Sequence, residues 1–318
     1  MFTLSLALFL TTAPIPKSTY EGQIAVVVRK AQLAEIVLLN PAGQEVKRVP
    51  LKDLNGIAYT VKLSHGSDYA LVTTSNGSIA VGNMNFAGNG GYFIKLDGTE
   101  KPKELFERKA SVKWVLNRDA THAYGTEIDE EKAKKNLNTA PYQFRAWNLD
   151  LKSFKFESIP LPSDHQFIDI TQDDKTALTW CIAKGQYRSA TVPTATWKPT
   201  NIAETMDYPH GISPDGKHVF LMEYSQQGVP RTSNRLVLHD LATKERKTIP
   251  QPEECNSVSA FSYGADGKRL AFVGYSQEPV VNGVTVVYRL YVSNTDGSNR
   301  KMIFETKPGE SISDIDWR

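Results

Sequence analysis

The sequence predicts an all-β chain folded as a six-bladed β-propeller, with the first blade completed by the C-terminal strand. Three observations lead there. Two families of tight turn alternate along the whole chain. Short apolar runs recur between them, with starts roughly 40 to 55 residues apart, the length of one four-stranded blade. The last segment, ESISDIDWR, reads as a β-strand through Ile312, Ile315 and Trp317, with no partner strand after it.

The first family of turns comprises SPDGK (213–217) and GADGK (264–268), with weaker copies SHGSD (64–68), NRDAT (117–121) and TQDDK (171–175). In SPDGK, Pro214 presets φ, Asp215 can bond the backbone ahead of it, and Gly216 accepts the positive φ that closes a hairpin. The second family is NPAGQE (40–45), KLDGTE (95–100), NLDLKS (148–153), PTATWK (193–198), HDLATKE (239–245) and NTDGSN (294–299). Each follows an apolar run such as EIVLL, GYFI, FRAW, RLVL or RLYV, and leads into a short outer run such as VKRVP, KELF, FESIP, RKTIP or RKMIF. The PTATWK unit follows the half-apolar YRSATV and is placed mainly by spacing. One unit therefore reads strand A, first turn, strand B, a variable connection, strand C, second turn, strand D. The B strands are IAVVV (24–28), YALVT (69–73), HAYGT (122–126), TALTW (176–180), HVFLM (218–222) and LAFVG (270–274). A β-sandwich has no reason to repeat this order.

Six turns of the second family stand against five of the first, because the first unit opens directly on strand B at Ile24. The final SISDIDWR supplies the missing A strand. Paired beside residues 24–28, it closes the ring and removes two sheet edges that would otherwise invite aggregation. The expected organisation is a secretory signal peptide over 1–17 and a single propeller over 18–318. The leader is apolar from Phe2 to Leu10 and closed by Thr11, Thr12 and Ala13, with no Lys or Arg in front of it. It is too short to span a bilayer.

The units HGISPDGKHVFLMEY…NRLVLHDLATKERKTI and FSYGADGKRLAFVGY…YRLYVSNTDGSNRKMI resemble the repeat of TolB-like propellers, found also in the propellers of prolyl oligopeptidase-type peptidases. The likeness runs over residues 20 to 318. It implies a six-bladed propeller and a periplasmic or extracellular location. TolB adds an α/β domain and the peptidases a hydrolase domain, and these 318 residues leave room for neither.

With 40% hydrophobic residues, 23% charged residues and a net charge of +2, the chain can build a sizeable core and has no basic excess for nucleic acid. No membrane span is expected, and a monomer is. Cys181 and Cys255 form no CxxC and no Cys/His cluster at metal-ligand spacing. Cys181 sits inside the apolar ALTWCIA, so a buried thiol is expected there rather than a disulfide. No metal or other cofactor is called for.

Catalytic signals are sparse. Ser213 in GISPDG belongs to a repeat turn and lacks the GxSxG elbow of a nucleophile. The glycine-rich FAGNGGYF (86–93) has no helix start behind it to hold phosphate, and reads as a flexible loop. His65, His218 and His239 fall in or beside turns as solvated imidazoles, and His122 opens a B strand. His165 and His210 precede A strands, the innermost of their blades, and Asp169, Asp314, Asp316, Lys62 and Lys113 occupy comparable stretches. These seven are the candidate channel-mouth ligands. Asp314 and Asp316, two apart, share a strand face and could hold a divalent cation, act as acid and base, or keep the channel hydrated. Alternation sends some of the seven into the gaps between blades.

The B-to-C connections 74–91, 127–142, 223–234 and 276–286 are long, and EIDEEKAKKNLN (127–138) within one of them is a solvated segment with the makings of one exposed helical turn. Long connections gathered on one face mark the binding surface of a repeat fold. The expected function is a non-enzymatic scaffold that binds a protein or cell-envelope component through that face. The alternative is a carbohydrate-active lyase or hydrolase using His165, His210, Asp169 and Asp314 at the channel mouth.

Overall fold

The computed structural model describes residues 22–64, 68–81, 84–110, 112–117, 121–135, 143–183, 186–204, 208–223, 235–280 and 283–318. The expected leader, His65 and the connection 224–234 lie outside them. The described residues form six four-stranded antiparallel sheets. Blade 1 orders Glu310–Trp317, Ile24–Lys30, Leu33–Leu39 and Glu45–Pro50 from its inner to its outer edge. Blade 2 is Ile57–Leu63, Tyr69–Val81, Met84–Lys95 and Lys103–Ala110; blade 3 is Lys113–Leu116, His122–Ile128, Phe144–Asp150 and Lys155–Ile159. Blade 4 is His165–Ile170, Thr176–Ala183, Gln186–Pro193 and Thr200–Glu204. Blade 5 is Tyr208–Ile212, His218–Glu223, Arg235–Asp240 and Arg246–Thr248, and blade 6 is Ser257–Tyr263, Arg269–Val280, Gly283–Asn294 and Lys301–Glu305. Each inner strand touches the next around the ring, the last returning to the first.

The apolar B strands are explained by this stacking. Side chains alternate between the two faces of a strand, and both faces of a blade are covered by neighbours. Ala25 and Val27 thus enter the core between blades 1 and 2, while Ile24, Val26 and Val28 enter the core between blades 6 and 1. Apolar clusters fill the other four interfaces in the same way. The turns follow the chemistry read from the sequence. In SPDGK, Gly216 has φ +73° and the Asp215 carboxylate accepts from Lys217 N at 3.1 Å. TQDDK keeps that shape without glycine because Asp174 takes the left-handed position, φ +58°, which Asp tolerates better than most residues.

Two expected loops are strands instead. In blade 2 the second and third strands pair out to Val81 and Met84, and in blade 6 out to Val280 and Gly283. FAGNGGYF is therefore a strand, not a flexible loop. Its Gly91 lets the Phe106 ring lie against the backbone, where a Cβ would stand 2.2 Å from the ring. The helix Glu130–Lys135 does form in the charged run, but it is docked as well as solvated. Ala133 is fully buried against Val81 and Phe86 of the blade 2 hairpin, with Ile128 and Phe144 beside them.

Ring closure rests on Glu310–Trp317, which pairs antiparallel with Ile24–Lys30 from Trp317↔Ile24 to Glu310↔Lys30. Trp317 fixes its far end: the indole Nε1 donates to Gly22 O at 3.0 Å, the backbone N donates to Ser262 Oγ at 2.9 Å, and the Arg269 guanidinium lies 4.9 Å above the ring. Ile312, Ile315 and Trp317 are all buried. Each contributes about 1.5–3 kcal/mol by burial, and together they rival the roughly 5–15 kcal/mol that holds a typical domain folded. Deleting residues 309–318 is expected to abolish cooperative melting or drive aggregation; a truncated chain that melts as a monomer at the wild-type temperature contradicts closure by this strand.

Candidate functional site: the central channel

An inner strand is the edge of its blade, so half of its N–H groups have no ladder partner, and buried donors need acceptors. Neighbouring blades supply them. Asp314 Oδ2 accepts from Val61 N at 3.0 Å and Asp316 Oδ2 from Leu63 N at 2.7 Å, which stitches blade 1 to blade 2. Asp169 Oδ2 accepts from Ile212 N at 3.1 Å between blades 4 and 5, and Thr126 Oγ1 from Phe167 N between blades 3 and 4. The DID pair does share one face, as its spacing implies, and spends that face on backbone donors.

Five inner strands each carry a one-residue irregularity at matching positions, so that the pairing register skips Tyr59, Ile168, His210, Ser259 and Ser313. Bulges re-aim side chains. All five line one cavity of ≈220 Å³ on the channel, with Lys62, Lys113 and Asp314. The hydroxyls of Ser259 and Ser313 are buried there without a protein hydrogen-bond partner, so the cavity is suited to water or a small polar ligand. A second cavity of ≈40 Å³ on the side of the A-to-B turns is lined by Asp169, Asp316, Tyr263 and Arg318, and Lys62 and His210 border both.

The ions form a chain. Lys62 Nζ lies 4.0 Å from Asp314 and 3.8 Å from Asp316; Arg318 Nε lies 3.2 Å from Asp316, and its Nη2 lies 3.5 Å from Asp169. Arg318 escaped the sequence reading, although it continues the two-residue phase of Asp314 and Asp316. Burial opposes the Lys62 charge, yet Asp314, Asp316 and Asp169 hold its pKa above the usual lysine value. Burial lifts Asp169 and Asp314 above the ordinary carboxylate range against the pull of Arg318 and Lys62. His210 is pushed down to about 3 by burial and by Lys113 and Lys62, so it is neutral at physiological pH. Asp314 and Asp316 are thus committed to Lys62 and to backbone N–H groups, which leaves them poorly disposed to hold a divalent cation.

His165 is elsewhere. It is 5% exposed at the start of its strand, with Nδ1 2.8 Å from Thr179 Oγ1, and does not line either cavity. This is the diversion between strands that alternation allows. His239 also departs from expectation: it is buried, not solvated, and burial lowers its pKa. His218 keeps a half-exposed place beside Asp240 at 3.3 Å, and His122 bonds Asn148 Oδ1 at 3.0 Å. No disulfide joins Cys181 and Cys255.

Lys113 stands out energetically. Burial lowers its pKa first, Lys62 adds to this, and Asp314 opposes both. A base depressed below its unfolded value of 10.5 adds stability only above that value and loses it as pH falls through the folded pKa. Its charge therefore destabilises the fold at pH 7. Lys113→Met is expected to raise Tm at pH 7 by a few degrees, with the gain shrinking as pH approaches 10.5. A variant that melts lower than wild type at pH 7 shows that the ammonium is satisfied in the channel.

No family model and no curated protein matches the sequence. Solved structures do match in shape. TolB from Acinetobacter baumannii superposes with a TM-score of 0.60 at 13% identity, over 94% of this chain and 67% of that one. A protein given as TolB from Agrobacterium tumefaciens gives 0.57 at 11% identity over 92% of both chains, and a chain of a nidogen/laminin complex gives 0.56 at 10%, over 92% and 98%. At these identities the likeness concerns the fold alone: the chain folds as a six-bladed β-propeller similar in shape to those TolB structures.

Proposed function

We propose that the protein is an exported, non-enzymatic scaffold that binds a protein or envelope partner through the face bearing its B-to-C hairpins. The observation that carries this is the blade 6 hairpin. It projects past the inner strand, whose pairing stops at Ser257↔Tyr275, and shows Val280 and Val284 at 48% and 64% exposure. Arg289 braces it, bonding Glu305 Oε2 at 2.7 Å, Ser276 Oγ at 2.6 Å and Glu278. On adjacent blade 1, Leu33 beside its own B-to-C turn is 67% exposed. A braced projection with exposed apolar residues toward its end suits protein contact, since bracing leaves less ordering for binding to impose.

The hydrolase or lyase alternative needs at least three of His165, His210, Asp169 and Asp314 around one pocket, and each cavity brings together only two of them. Asp169 and Asp314 line different cavities, and His165 lines neither. The TolB-like neighbours agree with protein binding, and no described helix is long and apolar enough to cross a membrane.

The blade 2 hairpin serves differently, because Val81 and Phe86 are committed to packing against the helix of blade 3. Deleting it is expected to lower Tm. The test of the binding face is the combination Leu33→Ser, Val280→Ser and Val284→Ser. Melting should stay within about 2 °C of wild type, as for most surface changes, while a protein captured by wild type from envelope extract is lost. Capture that survives the triple variant overturns the assignment of this face.

Export is tested by intact mass after expression in a secreting host. The expected product begins between Ala13 and Thr19; recovery of full-length chain from the cytoplasm alone contradicts it.

A further inference from the structure

We propose that Asp164, His165 and Cys181 form a zinc site at the B-to-C end of blade 4. One ligand atom from each lies within 4.8 Å of the other two. Their meeting is a product of strand register: His165 opens the inner strand, and Cys181 on the second strand is its direct partner across the ladder. Fifteen residues lie between them in the chain, a spacing that matches no metal motif, and the TQDDK turn folds that separation into a cross-strand pair.

Three features suit this cluster to a metal. The donor set of imidazole nitrogen, thiolate sulfur and carboxylate oxygen is borderline in softness, as Zn²⁺ prefers, and wrong for Ca²⁺ or Mg²⁺, which take oxygen. His165 and Cys181 are 5% and 2% exposed, whereas Asp164 is half-buried at the rim, so an ion can enter beside the carboxylate. The imidazole is also oriented. The Thr179 hydroxyl lies 3.3 Å from Ala190 O, which can only accept its proton, and 2.8 Å from His165 Nδ1. Nδ1 therefore carries a hydrogen and donates to Thr179 Oγ1, and Nε2 keeps its lone pair for a metal. A ligating histidine is commonly fixed through its other nitrogen in this way.

Zinc with bonds of about 2.0–2.3 Å sets its ligand atoms roughly 3.4–3.8 Å apart, so side-chain adjustments of about an ångström close the set. Binding replaces the Cys181 S–H bond by S–Zn and releases the proton to solvent. A fourth position stays open to water. The ion would clasp the segment entering blade 4 to its first two strands, on the face proposed for partner binding.

Co²⁺ titration of the chelator-treated full chain tests the site. Wild type is expected to develop a thiolate-to-cobalt charge-transfer band that saturates at one equivalent and is displaced by Zn²⁺. Cys181→Ser should abolish the band, and Cys255→Ser should leave it intact. Thr179→Val should keep the band but weaken Kd about 10–100-fold, the usual cost of losing a partner to a ligating histidine. Asp164→Asn, on the rim, should weaken binding without disturbing the strands, and decides the matter with Thr179→Val should Cys181→Ser fail to fold. The proposal is overturned by a folded wild type with no stoichiometric band, by a band lost in Cys255→Ser but kept in Cys181→Ser, or by affinities that neither Thr179→Val nor Asp164→Asn alters.

Discussion

The pairing of Glu310–Trp317 with Ile24–Lys30 is the constraint on which the other interfaces depend. In a ring of blades each interface is shared by two neighbours, and each B strand is buried only because both of its faces are covered. Open the ring at this point and Ile24, Val26 and Val28 lose the cover of blade 6, while the inner edge of blade 1 is left bare. Since the two halves of the closure come from opposite ends of the described chain, the contact is as nonlocal as any in the molecule. Closing so long a loop carries an entropic cost that grows only slowly with its length, whereas the apolar area sealed around Trp317 is large. Long-range closure is therefore thermodynamically sound although slow to form.

Closure alone leaves six inner edges facing the channel, with N–H groups that the ladders do not use. The carboxylates of Asp169, Asp314 and Asp316 meet that need, because a short acidic side chain can accept a neighbouring blade's N–H and also pair with a cation, through its second oxygen in Asp169 and Asp316 and through the same oxygen in Asp314. Lys62 and Arg318 then balance the charge. The same residues look catalytic in a sequence, being polar, adjacent and innermost. Their geometry explains them without catalysis, and it also splits the channel into two cavities, each with part of the polar set. Lys113 lies on the same channel, where burial and Lys62 lower its pKa, beside the buried hydroxyls of Ser259 and Ser313.

Blade number, strand order and closure were legible because they follow from turn chemistry and apolar periodicity, both local signals. The two turn families sit where Gly216, Gly267, Gly98 and Gly297 take positive φ, and the copies lacking glycine place Phe154, Trp197 or Lys244 there instead. Connections were harder. Residues 76–88 and 276–286 mix glycine and polar residues with apolar ones such as Ile79, Val81, Val280 and Val284, a composition open to loops and to projecting hairpins, and cross-strand pairing separates the two. The site was half legible. Six of the seven candidates do line the channel, since A strands are innermost, but a bulge changes the phase of alternation, and no local signal announces a bulge. The phase decides whether a side chain meets solvent or a neighbour, which is why His165 was expected at the channel and is found against Thr179 and Cys181.

The two projecting hairpins are supported in different ways. Both rise from blades that flank blade 1, and both extend pairing beyond the point where the inner strand ends. One is turned back into the molecule: Val81 and Phe86 gain a core of their own by gathering Ala133 from the next blade. The other holds its backbone with Arg289 while Val280 and Val284 stay in water. An unpaired two-stranded extension is marginal by itself, so either packing or ion pairing has to support it. Packing uses up the apolar surface it buries, whereas bracing by charges leaves that surface exposed. Among the described residues the blade 6 hairpin thus keeps its apolar side chains exposed on a braced extension, and a partner contacting it would complete the burial that the blade 2 hairpin achieves within the chain.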